Sequence, residues 1–384
     1  MPRVAVIIVT YNSARFLPEL FVSLKAMQHP AGGVQFIFVD NASADHSPEL
    51  VREAMPDAAL VREKENRGFS AGVNAGLRHP LAQGVEFIAL LNPDTVVHPD
   101  WLTALVNALE GQRKAVSAQS LILYAQDREK VNSAGNSIHF LGFGFSQANG
   151  QSRSVILNEV PIPSGRNEES PTNVGSHTRE ILRPDALGTQ DDVKLSTHFI
   201  TYASGAAVLY RHNALKEIGL FDENLFMYHD DLDVGWKFLL RGYQNILVPS
   251  SIVYHHYEFS RSIRKYYWIE RNRLLLLLTH YKFSTLLLIL PALIILEFGL
   301  MFFALYRGFF GARLRAYVWI FVHVPLIMKK HKYVQNIRTQ PDKAVLGSFT
   351  GVITDQEISN PLVEYVMNPV FALYLAFLRY VIRW

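Results

Sequence analysis

Ala89-Leu90-Leu91-Asn92-Pro93-Asp94-Thr95-Val96-Val97 decides how the rest of the chain is read. The apolar run 85–91 lacks the alternation of a half-exposed strand, so it predicts a strand buried on both faces. Pro93 has no N–H to give a ladder and must end that strand. Asp94 is thereby set at, or just past, the carboxyl end of a buried strand, the edge where open α/β sheets bind ligands. Its carboxylate suits a hard cation such as Mg²⁺ or Mn²⁺. An Asp in a turn also caps its own backbone, so the deciding question is how many similar strand ends surround it.

Working outward, the pattern recurs. Residues 4–9 form another unbroken apolar run, which ends in Thr10-Tyr11-Asn12-Ser13. Asn12 or Ser13 is placed to cap a helix whose apolar face is Phe16, Leu17, Leu20, Phe21 and Leu24. Residues 35–39 make a further strand ending in Asp40-Asn41-Ala42-Ser43, and 58–62 a weaker one. Asn66-Arg67-Gly68-Phe69-Ser70-Ala71-Gly72-Val73-Asn74-Ala75-Gly76 is a glycine-rich turn leading into a helix of small residues. A helix over about 100–109 and a strand near 116–123 follow. Strands alternating with helices at this spacing predict βαβ units and a mostly parallel α/β sheet flanked by helices.

The 384 residues suffice for one large domain with an appendage, or for two domains. The absence of cysteine excludes a disulfide framework and a thiolate metal site. A formal charge of +3 gives no reason to expect nucleic acid as a partner. The apolar run at the N-terminus is too short for a signal peptide and lacks a small-residue cleavage site, so it reads as a first strand.

Residues 135–196 are rich in Ser, Asn, Gly, Pro and charge, with little periodicity, and predict an irregular insertion covering the site. Order returns with Tyr202-Ala203-Ser204-Gly205-Ala206, whose small residues allow close backbone approach to a ligand. Asp230, Asp231 and Asp233 fall in the first turn of a helix running to Leu240 and stopping at Gly242. Capping a helix dipole is worth about 0.3–1 kcal/mol and needs one acid. Three carboxylates repel one another, and such crowding raises a pKa and suits a general base. A last strand, 245–254, ends in His255-His256 at the edge that holds Asp94, and imidazole is a common metal ligand.

After Ser260 the composition shifts. Residues 283–306 are nearly all apolar, interrupted by Pro291, Glu297 and Gly299, and are long enough to cross a hydrocarbon core of about 30 Å. Further apolar pieces, 316–328 and 361–384, are edged by basic and aromatic residues of the kind that anchor at a membrane interface. Spanning, re-entrant and in-plane arrangements are all compatible with this pattern, as is a buried helical subdomain. Glu297 is expected to point inward or toward a partner.

The residues quoted above resemble the inverting, nucleotide-sugar-dependent family 2 glycosyltransferases with a GT-A fold, in the rhamnosyltransferase-like branch. The resemblance runs from about residue 4 to 273. It is carried by Val9-Thr10-Tyr11-Asn12, Val39-Asp40-Asn41-Ala42-Ser43, the 66–74 turn, Leu91-Asn92-Pro93-Asp94, the stretch 226–236 and Arg271-Asn272-Arg273. It implies a GT-A catalytic domain over 1–260 and a helical membrane-associated region over 261–384. Asp40 would accept from the ring N–H of a uracil or thymine base, with Thr10, Tyr11 and Asn12 around the nucleotide. Asn66, Gly68, Gly72 and Asn74 would line the diphosphate and sugar side of the cleft, together with Asn92. Asp94 matches the last acid of the metal-binding DXD motif, whose first position is Asn92 here, and His255 would complete the site for Mg²⁺ or Mn²⁺. Asp231 matches the catalytic base, preceded by Asp230. Trp236 and Gly205 would contact donor or acceptor.

The implied activity is transfer of a sugar from a dTDP- or UDP-sugar, with dTDP-rhamnose the first guess. The acceptor would be a hydroxyl of a lipid-linked or cell-envelope polysaccharide at the cytoplasmic face of the inner membrane. A homo-oligomer is left open. Two other readings stand beside it. A nucleotidyltransferase would need a basic glycine-rich loop after the first strand, which Thr10-Tyr11-Asn12-Ser13 does not supply. A non-catalytic membrane scaffold would not require Asp94, Asp231 and His255 together.

Overall fold

The computed structural model describes residues 3–158, 197–257, 263–353, 361 and 363–384. The apolar runs become strands, and the elements follow in the order β1 (Val4–Thr10), α1 (Leu17–Ala26), β2 (Val34–Asp40), α2 (Ser47–Ala54), β3 (Ala59–Arg62), α3 (Phe69–Arg78), β4 (Phe87–Leu91), β5 (Thr95–Val97), α4 (Trp101–Gly111) and β6 (Ala115–Tyr124). Next come β7 (Val131–Ser133), β8 (Asn136–Ile138), β9 (Gly144–Ser146), α5 (Arg153–Asn158), β10 (His198–Ile200), β11 (Ala207–Arg211), α6 (His212–Glu217), α7 (Asp230–Leu240) and β12 (Gln244–His255). The helical end comprises α8 (Ile263–His280), α9 (Phe283–Arg307), α10 (Phe310–Val322), α11 (Val324–Ile337), α12 (Asp342–Ser348) and α13 (Asn368–Val381).

The main sheet has the order β10-β12-β6-β11-β4-β1-β2-β3, with β5 added to β12 and β7 to β6. β1, β2, β3, β4, β6 and β12 all run one way, so the sheet is mostly parallel as expected. β11 runs antiparallel between β4 and β6. That reversal brings the start of β11, where Gly205 lies, to the edge at which its neighbours end. Successive residues of β1 feed opposite cores: Val4, Val6 and Ile8 pack with α1 and α4, while Ala5 and Ile7 pack with Val73, Leu77 and Phe238. This two-faced burial is why the run carries no polar alternation.

Part of the predicted irregular insertion is ordered. Residues 136–146 form the β8–β9 hairpin and 153–158 the helix α5, and only 159–196 lie outside the described residues. The Gly and Ser content that reads as loop instead supplies the tight turn at Gly142, at φ +86°.

Most of the apolar packing of the 261–384 region is shared with the α/β part, beside a small cluster of its own around Ala304, Phe309 and Ala312. Leu225, Leu232, Trp236 and Leu240 from the α7 side pack in one cluster with Leu275–Leu277, Ile289, Leu346, Phe371 and Leu375. Glu297 points inward, as its cost in lipid required: it pairs with Arg273 of α8 and with Arg313 and Tyr317 of α10. Glu270 closes the group, 2.9 Å from Arg273 and 3.0 Å from Arg313, and both arginines are fully buried.

Candidate active site

The carboxyl ends of β1, β2, β4 and β12 share one edge of the sheet, and a cavity of about 500 Å³ opens there. It brings together Asn92, Gly205, Asp230, Asp231 and His255 from separate stretches of sequence. Asn92 N–H donates to Ala206 O at 2.9 Å, fastening the β4 turn to the start of β11.

β5 folds back antiparallel on β12, and opposes Thr95 to His255. This return places His255 Nε2 3.2 Å from Asp94 Oδ1. His255 Nδ1 faces Asn132 Oδ1 at 3.0 Å, so assigning the ring proton to Nδ1 satisfies that contact and leaves a lone pair on Nε2. Asp94 Oδ1 is buried and accepts no hydrogen bond among the described residues. In that tautomer two lone pairs face each other, an arrangement that a cation would relieve. One carboxylate oxygen and one imidazole, with room for phosphate oxygens, fit Mn²⁺ and, less well in ligand type, Mg²⁺. Asn132, which orients His255, carries no signal in the sequence, because it lies on a short strand paired to β6 through a register shift.

Across the cavity, Asp231 accepts from Gly205 N–H at 3.3 Å and from Leu232 N–H at 2.8 Å. Burial pushes its carboxyl up to about 6, and those two N–H groups pull the other way. Asp230 is pushed well above the usual carboxylate range by burial and then by the charge of Asp231. The pair therefore shares a proton near neutrality. Asp230 keeps it, having no comparable donors to its charged form, and Asp231 is the ionised member. Asp233 plays a different part from its neighbours. It turns to the opposite side of α7, where Lys237 lies 2.6 Å away and His280 3.2 Å. Burial alone would raise its carboxyl, but Lys237 and His280 hold it at about 2.

A base that must be ionised gives a rate falling about tenfold per pH unit below its pKa. The pH profile of kcat/KM is expected to bend near 6 on its acid side, and a profile flat down to pH 4.5 would remove Asp231 from this role.

The backbone ahead of α7 is strained. Phe226, Tyr228 and His229 all have positive φ, of 64°, 64° and 63°. Phe226 sits in a γ-turn closed by Met227 N–H on Leu225 O at 2.8 Å. Asn272 of α8 holds this loop: its Nδ2 donates to Leu225 O at 2.9 Å, Met227 O at 2.9 Å and Tyr228 O at 2.8 Å. Arg271 donates to Asn272 Oδ1 from Nε at 2.9 Å and Nη2 at 2.6 Å, fixing which way the amide faces. On the other side, Phe69 N–H donates to Phe226 O at 2.7 Å. Gly68, at φ +86°, lies so close that a Cβ there would come within 2.1 Å of the same oxygen.

The nucleotide side is a web of loop-to-loop bonds. Thr10 is buried opposite Asp40 in the sheet, and Asp40 accepts from Ser43 N–H at 3.3 Å. Asn12 accepts from Ala44 N–H at 2.8 Å, and Tyr11 is half exposed at the rim. Asn66 accepts from Gly68 N–H at 2.9 Å and from Asn41 Nδ2 at 3.0 Å.

Of the expected contact residues, Asn92 and Gly205 line the cavity, and Gly72, Asn74 and Trp236 are occupied in packing elsewhere. Gly72 packs on Val9, where a Cβ would approach to 2.7 Å, so its smallness lets α3 sit on β1. The amide of Asn74 is occupied by Phe221 O at 2.9 Å and Glu223 at 3.1 Å. Trp236 is fully buried among His280, Tyr281 and Phe349. Helical periodicity explains this last displacement: position 236 lies on the face of α7 turned to α8, away from Asp231.

Comparison with known proteins places this geometry. Residues 5–219 match the family model for glycosyl transferase family 2. The N-acetylglucosaminyl-diphospho-decaprenol L-rhamnosyltransferase of Mycobacterium tuberculosis is 26% identical over 267 residues, covering 65% of this chain and 75% of that protein. The pre-mycofactocin glycosyltransferase of the same organism is 22% identical over 257 residues, covering 66% of this chain and 43% of that protein. Among solved structures, GalNAc-T7 with UDP, GalNAc and Mn²⁺ has a TM-score of 0.50 at 15% identity, over 70% of this chain and 48% of that one.

Proposed function

The chain belongs to glycosyl transferase family 2 and is a glycosyltransferase with a GT-A fold, and we propose that it moves a sugar with inversion from a nucleotide-diphosphate donor to a hydroxyl of a lipid-linked acceptor. One observation carries this reading: Asp230, Asp231 and His255 line one cavity, and Asp94 lies 3.2 Å from His255. Asp231 takes the proton of the acceptor hydroxyl as its oxygen bonds to the anomeric carbon. The bond from that carbon to the diphosphate breaks, and its electrons leave on the phosphate. A single displacement with the base opposite the leaving group inverts the centre. Asp94 and His255 would hold the divalent cation, which supplies Lewis-acid stabilisation of the departing diphosphate. Thr10, Asn12 and Asp40 would enclose the base and ribose, with Asn66 ordering the loop beside them.

Rhamnose from a dTDP donor is the preferred substrate and a polyprenyl-diphosphate-linked sugar the preferred acceptor. The name of the mycobacterial relative supports the rhamnosyl group and the acceptor, and the dTDP carrier rests on the family resemblance. A site on the cytoplasmic face of the inner membrane fits an acceptor of that kind, and α9 is the one helix among the described residues long and apolar enough to cross a membrane.

The test is a donor panel with purified, detergent-solubilised protein and Mn²⁺ or Mg²⁺, following nucleotide release from dTDP-rhamnose, UDP-glucose, UDP-galactose, UDP-N-acetylglucosamine and GDP-mannose. Metal-dependent turnover of one donor identifies the sugar, and no binding of any of them overturns the proposal. Asp94→Ala is expected to lower turnover about 10–100-fold and to raise the Mn²⁺ concentration giving half-maximal rate. An unchanged metal dependence would assign the cation elsewhere.

A further inference from the structure

We propose that α9 does not cross the bilayer but lies in the plane of one leaflet, forming with α10 and α13 a monotopic platform that seats the cleft at the lipid surface. The apolar character of α9 alone would allow a span. Its packing does not. Thr285, Ile289, Ala292, Leu296 and Ala304 form a buried stripe from one end of the helix to the other. Both ends and the middle are tied to the rest of the protein, the far end through Ala304, which shares a cluster with Tyr266 and Tyr267 of α8. Lys282 N–H and Thr285 Oγ1 donate to Asp342 at 3.0 and 2.6 Å, and Tyr374 donates to Leu288 O at 2.6 Å. Glu297, near the middle, meets Arg273 and Arg313.

Arg273 fixes the depth. It adjoins Asn272, which holds the carbonyls of the loop leading into Asp230 and Asp231. A vertical α9 would centre Glu297 in the hydrocarbon, and with it Glu270, Arg273, Arg313 and the active-site loop. Such a loop could not receive a charged nucleotide sugar from water. With α9 tangential, the four charges stay inside protein and the opposite face meets lipid. That face is strongly apolar: Phe302 is 70% exposed, Phe321 on α10 is 83% and Leu373 on α13 is 74%. The occupant is a lipid leaflet with anionic headgroups. Residues 283–384 carry ten Lys and Arg against five Asp and Glu, and Arg307, Arg315, Lys329 and Lys332 are exposed around the apolar face. Basic residues around an apolar face fit the negative surface of such a leaflet.

The inference rests on the transferase reading in one respect, that the cleft works in water, but its readout does not need turnover. The chain has no cysteine, so Ser284→Cys and Arg307→Cys each introduce a single thiol at one end of α9. In inverted membrane vesicles, a membrane-impermeant maleimide is expected to label both variants without detergent. Labelling of one end only after detergent is added would mean a span and overturn the proposal. The double variant Phe302→Glu with Phe321→Glu is expected to shift at least about tenfold more protein into the soluble fraction, because two carboxylates on the lipid face oppose insertion. A variant distribution equal to the parent's would overturn the proposal. So would a parent chain that is soluble without detergent, or one whose apolar face is covered by a second copy in a stable dimer.

Discussion

Asp231→Asn is expected to lower kcat about 10²–10⁴-fold, the range a general base contributes, while leaving donor binding within a few-fold. The amide keeps the shape and, with its one oxygen, keeps one of the two bonds that locate the side chain, since Gly205 N–H and Leu232 N–H reach different carboxylate oxygens. It removes the negative charge that receives the acceptor proton. It also removes the charge that raises Asp230, so the neighbour is freed to ionise at lower pH. That makes a second outcome measurable: any residual activity should show a changed acid limb rather than the bend near 6. Steady-state kinetics across pH with the identified donor checks both. A variant retaining more than a tenth of the parental kcat would exclude Asp231 as the base. A variant that loses donor binding as well would point to a folding defect, which circular dichroism distinguishes.

Asn272→Ala should act at a distance from the chemistry. Met227 O and Tyr228 O lose the donor that Asn272 supplies, while Leu225 O keeps those of Met227 N–H and Arg271, in a loop where Phe226, Tyr228 and His229 hold positive φ. Such conformations cost about 1–3 kcal/mol each and persist only where the surroundings impose them. Each stranded carbonyl adds roughly 1–3 kcal/mol if it remains dry. The expected result is a loop that relaxes, moving Asp230 and Asp231 from their places. A misplacement near 1 Å can cost on the order of 10²-fold in rate. The prediction is therefore a kcat down about 10²-fold with KM for the donor little changed, together with a Tm lowered by several degrees. A lowered Tm with normal kcat would assign Asn272 to stability alone. Asn272→Asp serves as a control, since it is isosteric but offers no donors, and it should behave no better than Ala.

Much of the chemistry was readable along the chain because it depends on local patterns. Apolar runs that stop at a polar turn mark strand ends on one edge, and β1, β2, β4 and β12 form where those runs lie. Asp40, Asp94, Asp231 and His255 are legible in this way, since each closely follows an apolar run or falls in the first turn of a helix. The paired carboxylates at 230 and 231 also announce themselves by crowding. Local pattern fails where a residue's role depends on which way it turns. Asp233 looks like a third member of that cluster and is instead neutralised by Lys237 and His280 on the far side of α7. Asn74 and Gly72 belong to a stretch that reads as a ligand loop, yet both lie within α3, where Asn74 donates to Phe221 O and Gly72 packs on Val9.

Legible along the chain are the α/β class, the edge of the sheet on which the candidate site lies, and the acidic and imidazole groups proposed for it. Hydrophobic periodicity and turn chemistry act over a few residues and need no knowledge of partners. Only the tertiary structure decided which of those groups meet. The 3.2 Å approach of His255 to Asp94 requires β5 to fold back on β12, and the place of Gly205 requires β11 to run against its neighbours. The fate of Glu297 was also decided there, because an acid in an apolar helix demands a partner without naming it, and Arg273 and Arg313 reach it from two other helices. Contacts between residues far apart in sequence are fixed by how elements pack, and packing depends on the shapes of faces that no single stretch contains.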